Sequence, residues 1–128
     1  MAKDYKEWFR QSDYDYETAL FMHESGRYFY AVFMCHLSIE KALKGLYLKR
    51  TKIVPPKIYK LMYFIDKLSL EPNEDFTLFI AGLDSAGVAT RYPDSLKIIS
   101  SEYKRKNTLD ILKKAKELLQ WLKKELIK

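Results

Sequence analysis

The longest apolar stretch of the chain covers residues 29–48, and its side chains recur at helical spacing on more than one face. Two adjacent stripes are formed by Phe29, Phe33, His36, Leu43 and Tyr47, and by Val32, Cys35, Ile39, Ala42 and Leu46. A helix that is apolar on almost every side must be surrounded by other elements. The pattern therefore predicts a central helix from about Arg27 to Arg50.

An amphipathic segment precedes this central helix and a shorter one follows it. Apolar residues at steps of three and four predict a first helix over Asp4–Glu24, and Ser25-Gly26 ends it with a left-handed cap. Pro55-Pro56 stops the central helix, and a short helix is expected between these prolines and Glu71-Pro72. The short first connection predicts that the first two helices are antiparallel neighbours.

Two long helices are predicted in the second half of the chain. Asn73 is a suitable N-cap for a helix that ends near Arg91, since Pro93 disfavours helical geometry at the residue before it. Residues 95–103 have no clean period and are interpreted as a loop or a short turn. A long apolar stripe then predicts a last helix over Lys104–Lys128. The predicted fold is all-α, an up-and-down four-helix bundle with one additional short helix.

Length and composition narrow the class of protein. At 128 residues, about half of them hydrophobic, the chain is predicted to form one domain over residues 1–128. The single cysteine, Cys35, lies on an apolar stripe, which indicates a small buried hydrophobe in a reducing compartment. A secretion signal and a membrane-spanning run are both absent, so we expect a cytoplasmic protein without membrane contact.

The positive charge is concentrated at the C-terminal end. Of 23 basic and 17 acidic residues, the last 25 residues hold nine and three, which leaves 14 of each in residues 1–103. A basic helix can bind nucleic acid or an acidic partner, but lysines on an amphipathic helix more often form its solvated face. We favour the second interpretation.

One histidine, one glutamate and two lysines interrupt the apolar central helix. His36 and Glu40 lie one helical turn apart, and we interpret them as a satisfied buried polar pair. A metal site would need a third ligand that no spacing supplies, so neither a metal nor a cofactor is predicted. Lys41 and Lys44 are expected to form an exposed patch, which suits either RNA binding beside tyrosines or solubility alone.

The order of these features resembles the HEPN domains (higher eukaryotes and prokaryotes nucleotide-binding). The resemblance covers nearly the whole chain, and it rests on the following features. They are Trp8 followed by Ser12-Asp13 and Ala19-Leu20, the segment YFYAVFMCHLSIEKALKGLYL, Pro55-Pro56, Arg91-Tyr92-Pro93 and Trp121. The resemblance implies a helical bundle that forms homodimers and often pairs with a minimal nucleotidyltransferase in a toxin–antitoxin-like module.

The resemblance also bears on RNA cleavage. In active ribonucleases of this superfamily an arginine is followed, after four to six residues, by a histidine in a cleft between two copies. Arg91 matches the arginine, but the histidine positions hold Leu96, Lys97 and Ile98. Tyr59 stands where many relatives have a histidine. RNA cleavage without a metal needs a group that exchanges protons near neutral pH, and these residues do not supply one.

The sequence therefore favours a binding module over an enzyme. Arg91 is expected to bind the phosphate of a nucleotide or RNA, although it is equally able to donate to carbonyls at its helix end. Tyr92 is a candidate for base stacking, and Asp94 either orients Arg91 or caps the next turn. The alternatives are a ribonuclease in which Tyr92, Asp94 or His36 replaces the missing histidine, and a dimeric scaffold without a nucleic-acid role.

Overall fold

The computed structural model describes residues 3–128, which form six helices. They are α1 (Tyr5–Glu24), α2 (Tyr28–Thr51), α3 (Leu61–Lys67), α4 (Glu74–Arg91), α5 (Leu96–Glu102) and α6 (Arg105–Glu125). No strand occurs among residues 3–128, so the predicted all-α fold is confirmed. None of these six helices is long and apolar enough to cross a membrane. The single domain over residues 1–128 stays a prediction, and Met1 and Ala2 lie outside the described residues.

Helix ends follow the local signals in the sequence. The side chain of Asn73 accepts a hydrogen bond of 2.7 Å from the backbone N–H of Phe76 and caps α4. Gly26, with a φ of +82°, takes the left-handed conformation after α1 that a residue without Cβ adopts at low cost. Tyr92 leaves the helical conformation before Pro93, as the sequence predicts.

The interpretation of residues 95–103 as a loop or short turn is wrong, because they include the seven-residue helix α5. The hydroxyl of Ser95 caps it by accepting from the N–H of Ile98 at 3.3 Å. Ile99 is its single buried residue, so the segment shows no apolar period. The fold therefore contains four long helices and two short ones rather than one, and the short α3 begins at Leu61.

Helix α2 is the centre of the fold, as its sequence predicts, and it packs against all five other helices. Its contact with α1 is close because Ser12 and Ser38 each donate a hydroxyl hydrogen bond of 2.7 Å to the other's carbonyl oxygen. Cys35 is fully buried, and burial raises the pKa of its thiol to about 12. The cysteine is therefore a packing residue and not a reactive thiol.

Candidate functional site

A mostly apolar pocket of about 530 Å³ opens between α2, the segment before α3 and the C-terminal half of α4. We call it the Arg91 pocket. Its lining includes His36, Tyr59, Asp84, Gly87, Val88, Arg91 and Tyr92. Residues that are far apart in sequence thus meet in one concavity, of the size that binds small ligands.

The guanidinium of Arg91 lies between two aromatic rings. Its central carbon is 4.3 Å from the ring centroid of Tyr59 and 5.0 Å from that of Phe33. Within residues 3–128 its side chain makes no hydrogen bond or ion pair, and its buried Nε has no partner. The alternative in which Arg91 donates to carbonyls at its helix end is therefore not observed. The structure leaves a positioned guanidinium with free donors at a pocket wall.

His36 lines the same pocket and is oriented by Asp84. Its Nε2 lies 3.1 Å from Oδ1 of Asp84, and an ionised carboxylate only accepts, so Nε2 carries the proton. The same carboxylate accepts from the backbone N–H groups of Leu61 at 2.7 Å and Met62 at 3.2 Å. Asp84 thus fixes the start of α3 and the imidazole of His36 together.

The predicted pair of His36 and Glu40 is buried, but it is not a hydrogen bond. Nδ1 of His36 lies 3.8 Å from Oε1 of Glu40, and neither atom has a hydrogen-bond partner. The other carboxylate oxygen of Glu40 accepts from Nζ of Lys44 at 2.9 Å. Glu40 therefore compensates a buried lysine, while His36 is held by Asp84.

Lys41 and Lys44 do not form the exposed patch that the sequence predicts. Lys44 is 7% exposed and paired with Glu40, and Lys41 forms an ion pair of 2.8 Å with the buried carboxylate of Asp15. Burial without a partner is too costly for an ammonium, so both lysines are held by carboxylates. The structure gives neither side chain a place in the Arg91 pocket.

Gly87 makes room for the imidazole of His36. A Cβ at Gly87 would lie 2.6 Å from Cδ2 and 2.7 Å from Cγ of His36, distances that force the ring to move. We predict that Gly87→Ala lowers the free energy of unfolding by about 1–3 kcal/mol, because Asp84 holds the ring in place. Urea unfolding followed by circular dichroism measures the change.

Gly82 is the matched control on the same helix, since a Cβ there meets nothing within 4 Å. We expect Gly82→Ala to leave stability unchanged or to raise it by up to about 1 kcal/mol through helix propensity. Equal changes in unfolding free energy for the two substitutions would show that the position of the His36 ring does not require a glycine at residue 87.

The sequence profile of the HEPN domain matches residues 5–126, nearly the whole chain. The chain belongs to the HEPN domain family. Among curated proteins no match is found.

Two solved structures share the fold of this HEPN protein. The crystal structure of ST0689, an archaeal HEPN homologue, is similar with a TM-score of 0.79 and 20% sequence identity, covering 98% of this chain and 99% of that one. The crystal structure of TT1696 from Thermus thermophilus is similar with a TM-score of 0.77 and 22% identity, covering 94% and 97%. At these identities the likeness establishes the fold.

The positions of the superfamily's catalytic histidine lie outside the Arg91 pocket of this HEPN protein. Leu96, Lys97 and Ile98 form the exposed first turn of α5, and none of them lines the pocket. Asp94 is also exposed, is not part of the lining and does not cap α5, which Ser95 does. Of the predicted residues, the structure brings Arg91, Tyr92 and His36 together.

The sequence did not indicate which residues surround Arg91 and His36. Phe33 and Tyr59 flank Arg91, and Asp84 orients His36 from 48 residues away. The sequence does indicate that Asp84 has a specific partner, since it is the only charged residue of α4 between Asp75 and Arg91. An isolated acid in an uncharged helix has a specific partner when it is buried.

Proposed function

We propose that this HEPN protein binds a nucleotide or RNA in the Arg91 pocket, within a cleft formed by two copies of the chain. We further propose that it acts in the cytoplasm with a minimal nucleotidyltransferase in a toxin–antitoxin-like module. The observation that carries the binding proposal is the unpaired guanidinium of Arg91, positioned between the rings of Phe33 and Tyr59.

A nucleotide offers a phosphate and a flat base, and the pocket has groups for both. The guanidinium donates paired hydrogen bonds that match the geometry of phosphate oxygens. The exposed rings of Tyr59 and Tyr92 at the pocket provide stacking surfaces, and the apolar walls exclude water around a base.

The outer face of α4 supports a dimer beside this pocket. Leu78 and Val88 are exposed there, and the other exposed residues between them are Ala81, Gly82 and Ser85. An exposed helix normally presents charged side chains, whereas this face has none between Asp75 and Arg91, since Asp84 is turned toward His36. Val88 also lines the Arg91 pocket, so a second copy on this face would place two pockets in one cleft.

The proposed partnership with a nucleotidyltransferase rests on family membership. HEPN domains of this kind are often encoded beside such an enzyme. A nucleotidyltransferase gene adjacent to the gene of this chain would support the proposal, and co-expression of the two proteins would test it directly.

Ribonuclease activity is the second candidate, and one observation favours it. His36 is far from Arg91 in sequence, yet it lines the same pocket and is oriented by a carboxylate as a general base is. However, His36 is 3% exposed, and its Nε2 is already bonded to Asp84. The geometry therefore supports binding better than proton transfer.

One experiment tests binding and distinguishes it from cleavage. Labelled single-stranded RNA is mixed with the wild-type protein and with Arg91→Ala, in the presence of EDTA, and both affinity and cleavage are measured. We expect binding without cleavage, and an affinity about 10–100-fold lower in Arg91→Ala, because charge-assisted hydrogen bonds to phosphate are lost. Arg91→Lys should retain only part of the wild-type affinity, since lysine lacks the planar guanidinium that donates paired hydrogen bonds.

Arg10→Ala is the matched control, because Arg10 is an exposed arginine of α1 that pairs with Glu7. Its affinity should equal that of the wild type. Equal affinities of the wild type and Arg91→Ala would overturn the binding proposal. Cleavage that disappears in both Arg91→Ala and His36→Asn would establish the ribonuclease instead.

A further inference from the structure

A second pocket, of about 460 Å³, lies where the connection between α1 and α2 meets α5 and the start of α6. We call it the Arg27 pocket. Its lining includes Arg27, Tyr28, Tyr30, Leu96, Tyr103 and Lys104. Of the candidate positions discussed above it contains Leu96 but no residue of the Arg91 pocket, and it is more polar than that pocket.

The Arg27 pocket carries uncompensated positive charge. Arg27 and Lys104 are exposed, and neither forms an ion pair with any residue in the range 3–128. No carboxylate lines the pocket within that range, although Glu102 is next to Tyr103 in the chain. Lys41 and Lys44, by contrast, are each paired with a carboxylate. The charge of the pocket suits an anion.

Tyrosines occupy the same concavity. Tyr30 is about half exposed and is backed by Phe29, with the two ring centroids 4.4 Å apart. Tyr28 and Tyr103 are half-buried in the lining. Aromatic rings beside free cations bind nucleotide units, since each base stacks on a ring while its phosphate lies against a positive charge.

The two pockets are neighbours on one face of α2. Phe29 lines the Arg27 pocket, and Phe33, four residues later, contacts Arg91. Residues four apart lie on the same helix face, about 6 Å apart along the axis. The chain between the pockets is also short, because Tyr92 lines the first and Leu96 the second, at most about 14 Å away along an extended chain.

We propose that the Arg27 pocket is a second subsite for single-stranded RNA that extends from the Arg91 pocket. In this subsite Arg27 and Lys104 bind phosphate and Tyr30 stacks on a base. The proposal rests on the proposed function of the Arg91 pocket. It implies that the protein binds an RNA strand more tightly than a single nucleotide, which occupies the Arg91 pocket alone.

The test compares an eight-residue oligouridine with uridine monophosphate on the full chain, at several salt concentrations. The variant is the double substitution Arg27→Gln with Lys104→Gln, and the charge-matched control is Lys116→Gln with Lys124→Gln. Lys116 and Lys124 are exposed on α6, about 18 Å and 30 Å along the helix from Lys104. Thermal unfolding by circular dichroism verifies that both double variants remain folded.

We expect the Arg27/Lys104 variant to bind the oligomer at least about tenfold more weakly than the wild type. The slope of the logarithm of its binding constant against the logarithm of salt concentration should be smaller in magnitude by about 1.4, since two phosphate contacts of a single strand are lost. Uridine monophosphate should bind with unchanged affinity. Tyr30→Ala should lower the affinity for the oligomer about tenfold without changing the salt dependence of binding.

Each other outcome is decisive. The proposal is overturned if the wild type does not prefer the oligomer, if both double variants lose affinity equally, or if the affinity for the mononucleotide falls in parallel. If Arg91→Ala weakens both ligands but the Arg27/Lys104 variant behaves as the wild type, the proposed function stands and the second subsite does not. If only the Arg27/Lys104 variant is impaired, the proposed function fails, and with it the proposal that the Arg27 pocket extends a site at Arg91.

Discussion

Glu40→Ala is expected to reduce the free energy of unfolding by about 3–5 kcal/mol, because it leaves the ammonium of Lys44 buried without a counter-charge. The two side chains are 2.9 Å apart, and both are less than one-tenth exposed. The aromatic rings of Trp8 and Phe64 near Nζ, each about 5.9 Å away, do not replace a carboxylate. Urea unfolding of the wild type and the variant measures the loss.

A double variant distinguishes a lost ion pair from a lost side chain. Glu40→Leu combined with Lys44→Met replaces both charges by apolar groups, and we expect it to recover most of the stability lost in Glu40→Ala. Glu7→Ala is the exposed control, since Glu7 pairs with Arg10 at the surface and its removal should leave the unfolding free energy nearly unchanged. A loss in Glu40→Ala no larger than in Glu7→Ala would mean that Lys44 reaches solvent.

The Glu40–Lys44 pair shows what a single sequence can predict here. Four-residue spacing of Glu and Lys on a central helix is visible in the sequence, and it is the signal for a compensated buried pair. The prediction that Lys41 and Lys44 are exposed was wrong because it relied on the usual exposure of lysine. The four-residue spacing of Glu40 and Lys44 was the more informative feature. Other local features, the N-cap Asn73, the left-handed Gly26 and the helix-ending Pro93, predicted the ends of the long helices to within a few residues of those observed.

The functional site depends on contacts that no local pattern encodes. His36 and Asp84 lie on different helices and meet only because α4 packs against α2. Tyr59 belongs to the irregular segment before α3, so no periodicity indicates that it covers Arg91. The family resemblance predicts Arg91 as the phosphate-binding residue. The structure supplied the aromatic rings and the pocket that give it a chemical role.

Val88→Asp is expected to convert the proposed homodimer into a monomer. Val88 is 71% exposed in the single chain, so the substitution leaves its packing intact. In a symmetric dimer through α4, however, both copies would bury an unpaired carboxylate near the two-fold axis. We expect the dimer dissociation constant to rise by about a hundredfold or more, as measured by light scattering over a range of protein concentrations.

Phe21→Asp is the matched control, because Phe21 is a similarly exposed apolar residue, at 69%, on the outer face of α1. It should remain dimeric. Since Val88 also lines the Arg91 pocket, the affinity of Val88→Asp for RNA should fall together with dimerisation, while Phe21→Asp binds as the wild type does. A monomeric wild type would exclude a cleft shared by two copies, and dissociation by Phe21→Asp alone would place the interface on α1, away from Arg91.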